Sequence, residues 1–408
     1  MRASLVRWAT SSLAVLLLLF NVRRFIFTLV ALGRRRRPVR HSSFGLPPSI
    51  LALVPCRNES ATLPGLIDAL ARVDYLRDRL RVALIDDGSS DDTRAIMQRA
   101  ARSSSSWNTV ALDATLGKAQ ALNEALARIP FGEIVVVYDA DHRPEPGSLR
   151  RLVLAFDDPT VAGASGRTKP SHPTASLAAY YSAVENLVHQ TITLRAKDRF
   201  DLAPALLGSN CAYRRSLLEQ AGGFPGGALL EDSDLTLTFA RLGYRLRFVA
   251  DAVAWQQAPQ TVESYVRQHV RWARGFNDVA RKHVVATLAD RRLALRLRIE
   301  LAMFSAGYLD RLALLGVIGT AWITRGGRQV GFSGPILAAA LVMPLVEVIA
   351  ALWLERAPRS MWVRLPVMPV LFGLDVLIAA RALVEAVLGR PRVWTRTTRI
   401  GETGNLRR

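Results

Sequence analysis

The stretch VVVYDADHRPEPGSL, residues 135–149, decides the fold. Four apolar, mostly β-branched residues run straight into two carboxylates, Asp139 and Asp141, and a proline-glycine turn follows. An unbroken apolar run of this kind reads as a strand buried on both faces, the habit of parallel sheets in α/β proteins. Its carboxylates then fall just past the strand's C-terminal end, where open α/β sheets receive ligands. Oxygen ligands at i and i+2 suit Mg²⁺ or Mn²⁺, which bridge carboxylates to a diphosphate. A solitary DxD also occurs as a plain solvated loop, so its neighbours have to support the assignment.

Upstream, SILALVPCRNES supplies a first strand, ended by Pro55, and LPGLIDALARV a helix. RVALIDDGSSDDT is a second strand that delivers Asp86 and Asp87 into a Gly-Ser turn, with Ser90 or Asp91 available to cap the next helix. TVALD is a third strand, GKAQALNEALARI a helix, and EIVVVYDAD the fourth strand. Strands alternating with helices in this way indicate a doubly wound, largely parallel sheet of the nucleotide-binding type. Beyond Ser148 the pattern is less regular. Residues 175–195 read as an amphipathic helix, LLGSNCAYRRSLLEQAGGF as a short strand and helix, and GALLEDSDLTLTFARLGYRLRFV as an acidic helix start followed by a strand. ESYVRQHVRWARGF is a basic amphipathic helix.

The flanks have a different character. Of 408 residues, 50% are hydrophobic and the net charge is +20, held in arginine-rich runs that abut apolar segments. That arrangement fits juxtamembrane positive-inside signals and anionic lipid headgroups. No basic stretch is interleaved with aromatics on a recognisable module, so a nucleic-acid partner is not expected. Residues 8–33 are long enough to span a bilayer, which takes roughly 20 residues. Arg34 to Arg37 follow directly, and no small-residue cleavage site is evident, so the segment reads as an anchor with its arginines cytosolic. Asn21, Arg23 and Arg24 interrupt it, at about 2.5–3.5 kcal/mol for each charge placed mid-membrane, so they face partner helices or the segment is tilted.

Residues 299–323, 335–354 and 366–388 are three further apolar stretches. Four spans would put the basic tail outside, although its charge argues for the cytosol. Asp375, Arg381 and Glu385 make 366–388 the one expected to be interfacial or re-entrant. Cys56 and Cys211 lack metal spacing and read as reduced thiols of a cytosolic domain. The expected organisation is an anchor (1–33), a basic linker (34–48), a catalytic domain (49–275), a basic interfacial helix (276–298), membrane or interfacial helices (299–388) and a basic tail (389–408).

Four signals along the chain bear chemistry. Asp86 or Asp87 can accept hydrogen bonds from a base or ribose, with Gly88 allowing close backbone approach. Asp139 and Asp141 follow. LLEDSDLT places Glu231, Asp232 and Asp234 at a helix start, where a carboxylate's basicity is adjusted by its neighbours and suits a general base. QHVRW puts Gln268 and Arg271 on one helix face, with Arg271 suited to a phosphate and Trp272 to stacking under a sugar ring. Each signal alone has a bland reading as a turn, a helix cap or a membrane-interface helix.

Taken in order, the four resemble the D, DxD, (T/E)D and Q(Q/R)xRW pattern of membrane-embedded family 2 glycosyltransferases of the cellulose synthase, hyaluronan synthase and poly-N-acetylglucosamine synthase type. The resemblance spans residues 50–275 and implies a GT-A (Rossmann-like) α/β domain with flanking membrane helices. It implies an inner-membrane, multi-pass protein that moves sugar from a nucleotide-sugar donor, a UDP-sugar in these relatives, to a glycan or lipid acceptor with inversion.

By position, it implies a ribose contact at Glu59, base or ribose binding by Asp86 or Asp87, and Lys118, followed by Asn123, near the nucleotide. Asp139 and Asp141 would hold Mg²⁺ or Mn²⁺, and Asp232 would be the base. Glu231, Asn210 and Arg214 would lie on the acceptor side, where residues 208–215 match. Gln268, Arg271 and Trp272 would serve the leaving diphosphate and acceptor end. WTRTTRIGE near the C-terminus resembles a segment that follows the last membrane helix. His269 departs from the pattern, standing where Gln or Arg is commoner.

Overall fold

The structure is a computed structural model that describes residues 2–33, 46–323 and 333–390. The tetra-arginine run, most of the basic linker and the WTRTTRIGE segment lie outside the described residues. A long helix α1 (Arg2–Leu32) precedes an α/β domain. Its first half is β1 (Ile50–Cys56), α2 (Leu63–Ala71), β2 (Leu80–Asp86), α3 (Thr93–Ser103), β3 (Trp107–Ala111), α4 (Lys118–Arg128), β4 (Ile134–Val137), β5 (Arg143–Pro144) and α5 (Ser148–Val153). Its second half is β6 (Val161–Pro170), α6 (Leu177–Val188), a π-helical turn His189–Leu194, α7 (Arg195–Phe200), β7 (Cys211–Arg214), α8 (Arg215–Gln220), α9 (Glu231–Arg241) and β8 (Arg245–Gln256).

One eight-stranded sheet runs in the order β3-β2-β1-β4-β7-β6-β8-β5. β1 to β4 are mutually parallel, as their apolar runs require; β7 then pairs antiparallel to β4 and to β6, so the sheet is mixed rather than largely parallel. Residues 50–54 and 134–137 are buried on both faces, between the cluster of Leu122, Leu126 and Phe239 and that of Leu66, Leu149 and Phe156. Contrary to expectation, β1 does not stop at Pro55 but continues to Cys56, in register with Ile85 and Asp86. Tyr138 N donates to Leu53 O, so odd-numbered residues there face β4, whose pairing ends at Leu53. The N–H that Pro55 lacks would have pointed past the end of β4, and nothing is lost.

Among the described residues six α-helices follow β8: α10 (Val262–Ala289), α11 (Leu295–Ser305), α12 (Leu309–Ile323), α13 (Ser333–Leu354), the short α14 (Arg359–Trp362) and α15 (Met368–Val387). The boundary expected at 275/276 falls inside α10, which is continuous. The apolar stretch 299–323 is not one straight span: α11 lies along α10, and the chain turns by 71° into α12. By length and composition alone, α1, α13 and the 359–387 segment are each long and apolar enough to cross a membrane.

Contacts along α1 set the helix directions. Arg24 meets Asp310 and Glu347, while Ala14 and Leu17 meet Val317 and Ile336, so α12 runs antiparallel to α1 and α13 parallel to it. Arg23 and Arg24 of α1 therefore face partner helices. Arg23 makes a two-pronged bond to Glu300, both N···O distances 2.7 Å, and buried Lys197 lies 3.3 Å from the same carboxylate. Asn21 donates to Leu17 O in its own helix.

The domain holds α1, α13 and both ends of the α15 segment. Arg199 donates to Val30 O and Gly33 O, and Glu355 accepts from Arg167 and Arg195. Arg364 donates to Thr174 O, and Arg274 donates to Arg390 O beside Glu385. Asp375 accepts from Tyr265 on α10, so α15 runs beside α10 with its acidic residues turned inward.

Candidate active site

The carboxyl ends of β1, β2 and β4 open onto a cavity of about 1060 Å³. Ten of the candidate site residues line it, and their positions follow from the strands and helices that carry them. Asp87, one residue past β2, has both oxygens fixed by the loop before α4, accepting from Leu116 N at 2.7 Å and Gly117 N at 3.0 Å. Gly88 at φ +73° makes that turn possible, and a Cβ there would stand 2.8 Å from Thr115 Oγ1. Asp86 is outside the cavity wall: it accepts from Ser89 N and from Arg94 Nε at 2.6 Å. Of the two aspartates, Asp87 faces the ligand space and Asp86 braces the turn. Glu59 lines the wall, its carboxylate hydrogen-bonded by Thr62 Oγ1.

Asp139, Asp141 and His142 present ligand atoms that all lie within 4.8 Å of one another. His142 is a residue the DxD reading did not single out. It is 3% exposed, its Nδ1 lies 3.2 Å from Asp141 Oδ1, and its Nε2 is buried without a hydrogen-bond partner. Two carboxylates suit Mg²⁺ or Mn²⁺, and the imidazole beside them favours Mn²⁺, since Mg²⁺ takes oxygen ligands. Ser209 Oγ accepts from Asp139 N at 2.8 Å and so ties the metal-binding turn to the start of β7.

Lys118, at the start of α4, bridges the carboxylates. Its Nζ lies 3.0 Å from Asp139 Oδ1 and 3.3 Å from Glu231 Oε1, and it donates to Gly208 O at 2.8 Å. Burial acts to lower the Lys118 pKa, but Asp139 and Glu231 hold it above its ordinary value, so the ammonium stays charged.

Asp232 stands beside this cluster in the first turn of α9, where Ser233 N donates to its Oδ1 at 2.6 Å. Burial, then the Glu231 charge, raises its pKa to about 7 against the pull of Lys118. A carboxylate so tuned is a competent base near neutral pH. Asp234 in the same cluster does something else: Lys282 at 2.7 Å and His283 at 3.0 Å pin it to α10.

Gly208 sits against the base with φ +70°, and a Cβ there would lie 2.8 Å from Asp232 Oδ2. Gly208→Ala is therefore expected to push the carboxylate aside and lower kcat by about a hundredfold, with donor KM little changed. Steady-state kinetics on purified membranes check this.

Gln268, Arg271 and Trp272 of α10 line the opposite wall. Arg271 Nε is buried without a partner, and burial pulls the guanidinium pKa down while Glu231, Asp232 and Asp139 push it back. Trp272 meets the His269 ring edge-on at 4.6 Å. The unusual His269 stacks on Tyr265 at 3.8 Å, and its Nε2 lies 3.1 Å from Glu185, so it braces Trp272.

Three residues are not where the acceptor-side or nucleotide reading put them. Asn210 is fully buried at φ +48°, and its amide donates to Arg167 O and Ala252 O, joining β6 to β8. Arg214 donates to Phe156 O, Asp158 O and Val161 O, away from the cavity. Asn123 is tied to the backbone of Phe224 in both directions. All three hold backbone together; neither Asn210 nor Arg214 reaches the ligand space.

The chain belongs to glycosyltransferase family 2: the family model described as glycosyltransferase-like family 2 matches residues 47–275. It is similar to a probable glycosyltransferase, YdaM, of Bacillus subtilis, at 31% identity over 66% of this chain and 64% of that one. The cellulose synthase catalytic subunit [UDP-forming] of Pseudomonas fluorescens is 30% identical over 57% of this chain and 32% of its own. The chain thus spans under two thirds of these relatives. A solved mannosyltransferase from Pyrobaculum calidifontis, in complex with GDP-Man and Mn²⁺, superposes with a TM-score of 0.64 at 23% identity, covering 94% of this chain and 100% of that one. The shared fold is GT-A-like.

Proposed function

We propose that the protein is a metal-dependent, inverting glycosyltransferase of the inner membrane, its catalytic domain cytosolic. It moves a sugar from a nucleotide diphosphate sugar to an acceptor hydroxyl at the membrane face. The observation that supports this best is a carboxylate with its pKa near 7, Asp232, set across from Arg271 and next to the Asp139–Asp141–His142 corner. UDP is the nucleotide that the resemblance favours.

Asp139, Asp141 and His142 would hold the divalent ion, which when bound neutralises charge on the leaving diphosphate. Asp87 and Glu59 bind the nucleoside end. Arg271 faces the diphosphate, and Lys118 holds Asp139 and Glu231 in place. Trp272 positions the acceptor, and Asp232 Oδ takes the proton of its hydroxyl as that oxygen attacks the anomeric carbon. One displacement inverts, so an α-linked donor gives a β-linked product.

Growing polysaccharide is the acceptor that the cellulose synthase relative's name favours. A single transfer to a lipid is the second reading, favoured by the small number of helices that leave the domain. If α15 is the interfacial segment beside α10 and the bent α11–α12 pair supplies a crossing, the crossings are α1, α12 and α13, and the tail returns to the catalytic side.

Labelled nucleotide sugars incubated with purified membranes test the reaction. Transfer or hydrolysis that EDTA stops and Mn²⁺ restores is the expected result; activity indifferent to both would overturn metal dependence. Asp139→Ala is expected to lose at least about a hundredfold in rate, because a metal's charge stabilisation is worth several kcal/mol. The same assay reads it.

A further inference from the structure

Resting on the transfer reading above, we propose that the acceptor is a membrane lipid with an uncharged, hydroxyl-bearing headgroup that enters the cavity sideways between α12 and α13. The cavity does not end at the sugar-nucleotide machinery. It continues from Asp232 and Trp272 to Leu314 of α12 and to Leu341 and Pro344 of α13. At about 1060 Å³ it passes the upper end of ordinary ligand pockets, roughly 300–1,000 Å³, and has room for donor and acceptor together.

Its far end is apolar and open. Leu341 lines the cavity yet is 55% exposed, so the wall gives directly onto the outer face of the helices. α12 and α13 each pack along α1 and touch each other little, which leaves a seam where a lipid tail can lie. Acyl chains are as apolar as leucine, so a tail in that seam loses nothing relative to bilayer.

The charges along the wall select the headgroup. Arg24 reaches Asp310 and Glu347 at 2.8 Å each, an ionic bridge that forms part of the cavity wall where α1, α12 and α13 meet. Every charge along this part of the wall is also committed. Arg24 pairs with Asp310 and Glu347, Arg311 with Asp310 at 2.9 Å and Asp375 at 3.6 Å, and Glu185 with His269 at 3.1 Å. A phosphate headgroup would meet four carboxylates along that part of the wall, whereas a neutral hydroxyl incurs no such repulsion. In the transfer, the lipid oxygen bonds to the anomeric carbon as the bond from that carbon to the diphosphate oxygen breaks. The diphosphate leaves with the electron pair, and the hydroxyl proton goes to Asp232.

The experiment uses the full chain in vesicles of phosphatidylcholine, with diacylglycerol, monoglycosyl-diacylglycerol or phosphatidylglycerol added, and labelled UDP- and GDP-sugars. Label in organic-extractable lipid carrying one added sugar, with the neutral additives only, is expected. Leu341→Trp should cut that transfer about tenfold while leaving slow hydrolysis of the donor by water unchanged, which also shows that the variant folds. Should it lose hydrolysis too, Leu314→Trp on the opposite lip makes the same test. Long polymer, equal labelling of phosphatidylglycerol, or wild-type lipid transfer by a hydrolytically intact Trp variant would overturn the inference. Donor hydrolysis with no lipid labelled overturns it as well and leaves the transferase reading standing. A chain that neither hydrolyses nor transfers any of these sugars contradicts that reading itself.

Discussion

Asp232→Asn is expected to lose sugar transfer by about a thousandfold, within the range of a removed general base, while its melting temperature rises. The two effects share one cause. Burial and the neighbouring Glu231 charge raise the folded-state pKa to about 7, from an ordinary 3.8. A carboxyl whose pKa is higher folded than unfolded is disfavoured in its ionised form, so it weakens the fold progressively as pH climbs from about 4 to 7, and by a constant amount above that. Asparagine has the same shape and no charge to desolvate. Asp232 faces cavity water, which screens it, so the gain above pH 7 is discounted to about 1–3 kcal/mol. It should vanish below about pH 4.

Thermal unfolding at two pH values, beside transfer kinetics, reads both effects. A merely structural Asp232 would leave transfer near the unmodified rate, because the asparagine Oδ1 can still accept from Ser233 N. Transfer by the unmodified protein should rise to a plateau through about pH 7. The limb should move lower once the cation is bound, since positive charge nearby favours the carboxylate.

Much of the first half of the domain was legible because its strands are apolar runs closed by Asp, Gly and Ser, a pattern with one structural solution. Ile134–Val137 and the carboxylates after it stand where that pattern requires. The choice between Asp86 and Asp87 was not legible. Adjacent residues at a strand end project oppositely, and only the partners, Arg94 for one and the Leu116–Gly117 amides for the other, settle which faces the ligand. Asn210 and Arg214 were misplaced for a similar reason. They stand in a segment that lines the cavity at Gly208 and Ser209, but within a few residues the chain enters β7 and turns its side chains toward backbone carbonyls. Likewise, hydropathy scored 299–323 as one span. The break around Gly307, which lays α11 on α10, depends on what α10 offers it.

The same limit applied to Arg23 and Arg24, whose partners lie 277 to 323 residues further along the chain, and there the consequence for stability is large. Arg24→Met is expected to destabilise the protein by about 3–5 kcal/mol, the cost of stranding buried charge. Arg24 is the shared partner of Asp310 and Glu347, both at 2.8 Å, and their side chains are only 12% and 6% exposed. Asp310 keeps Arg311 at 2.9 Å, but Glu347 is left with no other ion pair among the described residues. Arg23→Met should cost less, because Glu300 retains Lys197 at 3.3 Å. Thermal unfolding of the detergent-solubilised variants ranks the two. Adding Glu347→Gln and Asp310→Asn to Arg24→Met should recover most of the loss, since removing a whole buried ionic cluster is often near neutral where removing one member is not. If the triple variant were no better than Arg24→Met, the arginine would be acting by packing its stem between α12 and α13, and the ion pairs would count for little.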